Sequence, residues 1–153
     1  MIKIFGVGNI LLEDDSIGIK VLESIRGYLL NIYNNIEIIV GETDYLYCLD
    51  KINEEDFVII LDSTYFGTKP GSVSAMKLKD CDKFIINSVT DHNTNLISII
   101  RTENRNIDGY LIGIEVFNVG YSLELSEVLQ KRFSFICNEV KEVLISILQK
   151  IRF

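Results

Sequence analysis

The sequence holds a single histidine and a single proline, and its three cysteines, Cys48, Cys81 and Cys137, stand far apart. No Cys-x-x-Cys pair occurs, so neither a thiolate metal cage nor a disulfide framework is indicated. The reading is of buried thiols in a reducing compartment. Basic residues are also scarce: 15 Lys and Arg stand against 22 Asp and Glu, giving a net charge of −7 and a pI near 4.7. Phosphate neutralisation needs clustered cations, so nucleic acid is not an expected partner. Anionic membrane surfaces are disfavoured for the same reason. No apolar run approaches the roughly 18 residues that span a bilayer, and no membrane partner is expected. Lys3 and Asp14 bracket the first apolar stretch, which lacks a small-residue cleavage site. A signal peptide is therefore not expected, and a cytoplasmic location is.

What is present fits one domain over residues 1–153, with 48% hydrophobic and 24% charged residues. There is no internal repeat, linker or low-complexity tract. Ile2 to Val7 reads as a buried strand, and Ile17, Val21, Leu22, Ile25 and Leu29 then recur at helical spacing. Ile36 to Val40 is a second β-branched run. Thr43 is positioned to cap a helix carrying Leu46 and Leu49. Phe57 to Leu61 has the continuous apolar character of a strand covered on both faces. The loop Asp62 to Gly71 contains the only proline, Pro70.

Ser72 to Leu78 reads as a weaker strand, and Phe84, Ile85 and Ile86 are ambiguous. Helical character returns after His92, with Leu96, Ile99 and Ile100 on one side. Tyr110 to Phe117 reads as the last strand. Leu125, Leu129, Phe133, Ile136, Val140, Val143, Ile147 and Ile151 form one stripe at steps of three and four, a long amphipathic helix capped by Ser122 or Ser126. Strands alternating with helices imply an α/β fold, a largely parallel sheet with helices on both faces.

That architecture gathers the loops leaving strand carboxyl ends on one edge. Asp15 lies between the first strand and first helix, Asp62 directly follows the third strand, and His92 precedes a returning helix. Two carboxylates and one imidazole form a mixed oxygen and nitrogen set suited to a divalent transition metal, with positions left open for substrate or water. Each also has a plainer reading: Asp15 as a helix cap, Asp62 in an Asx turn, His92 as a structural group. The Gly6-Val-Gly8 turn lacks the third glycine of a dinucleotide fingerprint, and Glu13, Asp14 and Asp15 would repel phosphate. No Gly-x-Ser-x-Gly elbow accompanies the histidine.

The opening Gly6-Val-Gly8-Asn9-Ile-Leu-Leu-Glu-Asp14-Asp15-Ser-Ile-Gly18 resembles the Gly-x-Gly-Asn-x-Leu-x-x-Asp-Asp/Glu-x-x-Gly signature of the hydrogenase maturation endopeptidases. The likeness continues through Gly41 and Thr43, Ile60-Leu-Asp62, Pro70-Gly71, Asp91-His92, Gly113-Ile-Glu115 and Leu125-Ser126. The resemblance implies a three-layer sandwich, a twisted and mainly parallel sheet of about five strands between helices. It implies a metal-dependent endopeptidase, formally of the aspartyl type, that removes a C-terminal extension from a nickel-iron hydrogenase large-subunit precursor. Asp15, Asp62 and His92 would be both catalytic and metal-contacting, with Gly41 and Thr43 facing the substrate. The metal would be nickel presented by the precursor, other divalent metals being able to occupy the site, and the chain would act as a monomer. The alternative is a non-catalytic homologue that binds a metalloprotein precursor as an assembly factor. Five positions depart from the family pattern. Val40 and Glu42 interrupt a frequent Asp-Gly-Gly-Thr run, Tyr45 replaces a small residue, Ser16 a glycine and Val116 a proline.

Overall fold

The computed structural model describes residues 1–82, 95–103 and 105–151. Phe84, Ile85, Ile86 and His92 lie outside the described residues. The elements run β1 (Ile2–Val7), α1 (Ile17–Ile32), β2 (Ile36–Glu42), α2 (Tyr45–Asp50) and β3 (Phe57–Thr64). They continue with β4 (Val73–Lys77), α3 (Leu96–Thr102), β5 (Asp108–Glu115) and α4 (Glu127–Lys150). A short 3-10 turn, Glu13–Ser16, leads into α1.

The strands form one sheet in the order β2-β1-β3-β5-β4, parallel except for β4. Helices cover both faces, as expected of an α/β three-layer sandwich. On one face, Ile17, Val21, Leu22, Ile25 and Leu29 of α1 join Leu129, Ile136, Val140 and Leu144 of α4 over Ile4, Ile59 and Ile112. On the other, Cys48 and Leu49 of α2 join Leu96, Ile97 and Ile100 of α3 over Phe5, Ile60 and Leu111. Burying each such Leu or Ile contributes about 1.5–3 kcal/mol relative to exposure, so the layers hold each other. Cys48, Cys81 and Cys137 are all free and buried within this packing.

Several boundaries differ from the sequence reading. Strand β3 runs on through Asp62, Ser63 and Thr64, because these polar residues pair in register with Gly113, Ile114 and Glu115 of β5. Strand β5 ends at Glu115, and the amide of Phe117 turns aside to Asp14. Asp44, not Thr43, caps α2: its carboxylate accepts from the Tyr47 amide at 3.0 Å. In α3, Ile97 is buried beside Leu96 and Ile100, while Ile99 is only partly buried. Ser126 caps α4, accepting from the Leu129 amide.

The strand order locates the place where chemistry can occur. From β1 the chain crosses to β2 on one side, and then returns past β1 to β3 on the other. The carboxyl ends of β1 and β3 are therefore a topological switch point, where a crevice opens in sheets of this kind. Gly6 pairs with Leu61, so Asp62 emerges beside the end of β1.

Candidate active site

Asp15 reaches this edge through the turn that follows β1. Gly8 carries a φ of 137°, and a Cβ there would lie 2.1 Å from the Asp15 carbonyl oxygen. Only glycine allows the turn to fold so tightly back on the acid segment. Asp15 does not cap its helix, since no side chain caps either the 3-10 turn or α1. Its Oδ2 accepts from the Asn9 amide at 2.7 Å, and its Oδ1 accepts from the hydroxyls of Ser63 and Tyr65 at 2.7 Å each.

Asp62 stands next to this carboxylate. Its Oδ1 accepts the adjoining Ser63 amide at 2.7 Å. Burial and then the charge of Asp15 push its carboxyl well above the usual range, against the downward pull of the Ser63 amide and hydroxyl. A buried carboxyl whose ionisation is opposed by a neighbouring carboxylate is a mark of a functional site. The phenol of Tyr45 is also raised, by burial and then by the charges of Asp62 and Asp15. Tyr65 is raised by burial, by the charge of Asp15 and by its bond to that carboxylate, so its hydroxyl remains a donor.

The neighbouring acids have different work. Asp14 is fully buried and accepts from the amides of Phe117, Asn118 and Ser126 and from the Ser126 hydroxyl. Glu13 accepts from the Asn118 side chain and the Gly120 amide. Glu115, also buried, accepts from the Thr64 hydroxyl and from the amides of Phe66 and Thr68. These three carboxylates tie down the loops after β5 and β3, which leave the same edge of the sheet. Leu11, Phe66, Phe117, Tyr121 and Leu123 of those loops and of the β1 turn are exposed, Tyr121 to 96%.

Of the sequence candidates, the structure thus brings Asp15 and Asp62 together, and His92 lies outside the described residues. Gly41 is buried at the end of β2, where a Cβ would sit 2.1 Å from Cys48 Sγ, and Thr43 is exposed on the same edge. Among the described residues no group of three His, Cys, Asp or Glu side chains gathers as a metal site. Sequence reasoning missed Ser63 and Tyr65. The available signal was the run of three hydroxyls after Asp62: alternation along an extended chain sends Ser63 and Tyr65 to Asp15 and Thr64 to Glu115.

A family model described as hydrogenase maturation protease matches residues 19–143. The chain belongs to that family. The matched span begins within α1, so Asp15 precedes it and Asp62 falls inside it.

The hydrogenase expression/formation protein HupD of Rhizobium leguminosarum bv. viciae is 32% identical over 84 residues, covering 54% of this chain and 41% of that protein. The hydrogenase 2 maturation protease of Escherichia coli K12 is 29% identical over 101 residues, covering 65% of this chain and 60% of that protein. The match therefore spans less than two thirds of these relatives. Among solved structures, the hydrogenase maturating endopeptidase HybD of E. coli has a TM-score of 0.75 at 21% identity, covering 95% of this chain and 92% of that one. HycI of Thermococcus kodakarensis KOD1 has a TM-score of 0.67 at 23% identity, covering 94% and 91%. At these identities the structural likeness establishes the shared fold of the maturation protease family.

Proposed function

We propose that this chain is an endopeptidase that removes a C-terminal extension from a nickel-loaded hydrogenase large-subunit precursor. The observation that carries the reading is the meeting of Asp15 and Asp62 at the β1/β3 switch point, in a chain of the hydrogenase maturation protease family. The donor chemistry fits a divalent ion. Asp15 opposes the ionisation of Asp62, and a cation between the two carboxylates removes that opposition. Their oxygens and the imidazole of His92 would engage the nickel, which belongs to the substrate. The metal would supply Lewis acidity toward the scissile carbonyl or a water.

The chain's own residues do the rest. Asn9, Ser63 and Tyr65 orient Asp15 through hydrogen bonds. Thr43 and the backbone at Gly41 border the approach from β2. The exposed apolar residues of the surrounding loops support a macromolecular substrate, since such a rim is the mark of a surface that meets another chain. The reading is of a monomer acting in the cytoplasm; no helix among the described residues is long and apolar enough to cross a membrane.

One observation favours the second reading, a non-catalytic assembly factor. Tyr45 sets a phenol ring beside both acids, where the family pattern has a small residue. Incubation with a nickel-loaded precursor, read by mass spectrometry, separates the two. Release of a C-terminal peptide, lost in Asp62→Asn and His92→Ala, is the outcome expected of the peptidase. Stable binding of the precursor with no release would overturn it in favour of the assembly factor.

A further inference from the structure

The Asp15 carboxylate is unusually well occupied for a side chain at a reactive edge. A carboxylate has two oxygens and about four acceptor positions. On Oδ1, the hydroxyls of Ser63 and Tyr65 each donate at 2.7 Å. On Oδ2, the Asn9 amide donates at 2.7 Å. Among the described residues, donors thus fill three of the four positions, and the fourth is on Oδ2.

We infer that Ser63 and Tyr65 are positioning residues that block Asp15 Oδ1 and make Asp15 a one-point ligand through Oδ2. The inference rests on Asp15 serving as a ligand in the proposed function. Ser63 is buried within β3, and Tyr65 is half-buried as the first residue beyond it, so one hydroxyl is carried by the strand and the other directly at its end. The bonds are short O–H···O contacts to a charged acceptor, the stronger class. They fix both the rotation of the carboxylate and the choice of oxygen. Without them, Asp15 keeps the Asn9 amide on Oδ2 while Oδ1 is freed to join it on one ion, which changes coordination number and geometry. A hydroxyl pair that only filled space would leave the metal unaffected when removed.

The test uses the full chain and Co²⁺ alone, with affinity from calorimetry and coordination from the visible d–d absorption. Ser63→Ala, Tyr65→Phe and the double variant are compared with Asp15→Ala, and thermal melts check folding. Outer partners of metal ligands typically change affinity by about 10–100-fold, so a shift of about tenfold with an altered d–d spectrum is expected in the double variant. Ser63→Thr, which keeps the hydroxyl, should restore the native spectrum. If Asp15→Ala loses Co²⁺ but the double variant matches the native protein in affinity and spectrum, the positioning role is overturned and the ligand role of Asp15 survives. If Asp15→Ala binds as the native chain does, or the native chain takes up no Co²⁺, the ligand reading itself falls and the inference with it.

Discussion

The carboxylate of Asp14 accepts both the amide and the hydroxyl of Ser126, each at 2.8 Å. This joins the turn after β1 to the start of α4, 112 residues later. The same carboxylate holds the Phe117 and Asn118 amides at 3.0 Å. Removing it leaves several buried donors without an acceptor. Asp14→Ala should therefore destabilise the fold by ~3 kcal/mol or more, each orphaned group costing about 1–3 kcal/mol. Ser126→Ala removes one hydroxyl bond and the cap of α4, for about 1 kcal/mol. Asp62→Ala, which removes a half-buried carboxylate whose hydrogen-bond partner is the adjoining Ser63, should stay within about 1 kcal/mol of the native chain. Urea unfolding of the three variants checks the order. An Asp62→Ala loss as large as that of Asp14→Ala would make Asp62 a structural residue.

Adjacent acids with such different duties mark the limit of what the sequence displays. Strands β1 and β3 and helices α1 and α4 were legible because their burial imposes a period on the apolar residues. The fold class followed from alternation, and the carboxyl-edge placement of Asp15 and Asp62 followed from the fold class. The split between Asp14 and Asp15 was not legible, since it depends on Phe117, Asn118 and Ser126 arriving from the far end of the chain. The extension of β3 through Asp62-Ser-Thr was hidden for a similar reason: polar residues enter a strand there because β5 supplies the pairing. Thr43 and Asp44 are both good caps by type, and only the backbone geometry chose between them.

Two neighbouring residues at the end of β2 should respond in opposite directions. A Cβ on Gly41 would meet Cys48 Sγ at 2.1 Å inside the packed layer of α2. Gly41→Ala should therefore cost about 1–3 kcal/mol, as overpacked cores do. Glu42 is exposed and holds a φ of 50°, in the left-handed region that favours glycine. Glycine, the residue the family pattern places here, reaches such a conformation without strain. Relief of the left-handed cost, about 1–2 kcal/mol, exceeds the entropy glycine adds to the unfolded chain. Glu42→Gly should thus raise stability by ~0.5–1 kcal/mol. Thermal melts give the sign for each.

Cysteine chemistry offers an independent probe of the layer beneath that edge. Burial, and then the charge of Asp44, push the Cys48 thiol up to about 11. Burial likewise pushes Cys81 up to about 11, its neighbour Arg101 pulling the other way. Only the thiolate reacts, so alkylation of either at pH 8 should be slower than that of a free thiol by on the order of a hundredfold. Denaturation should expose all three thiols to rapid labelling. Mass spectrometry after a timed pulse of iodoacetamide measures this. Fast labelling of Cys48 in the folded chain would contradict the packing of α2 on Gly41.

At the opposite end of the sheet, acid sensitivity should concentrate on Asp56. Burial alone would raise its carboxyl, but the Asn53 amide, the Met1 amino group, Lys3 and the Asn53 side chain together hold it below the usual value. Its Oδ1 lies 3.2 Å from the Met1 nitrogen, and its Oδ2 lies 3.5 Å from the Nζ of Lys3, a buried lysine in β1. A carboxyl lowered on folding adds stability that is complete above its unfolded value, about 3.9, and is lost as pH falls through the folded value. The native chain should therefore weaken on acidification below about pH 4. Asp56→Asn removes the titrating charge and leaves Lys3 with Glu37, 3.2 Å away, as its remaining acid partner. The variant should be less stable than the native chain at neutral pH, and the gap should close as pH falls. Urea midpoints at stepped pH values measure that gap. A gap that stays constant with pH would show that Asp56 acts through its hydrogen bonds to Asn53 and not through its charge.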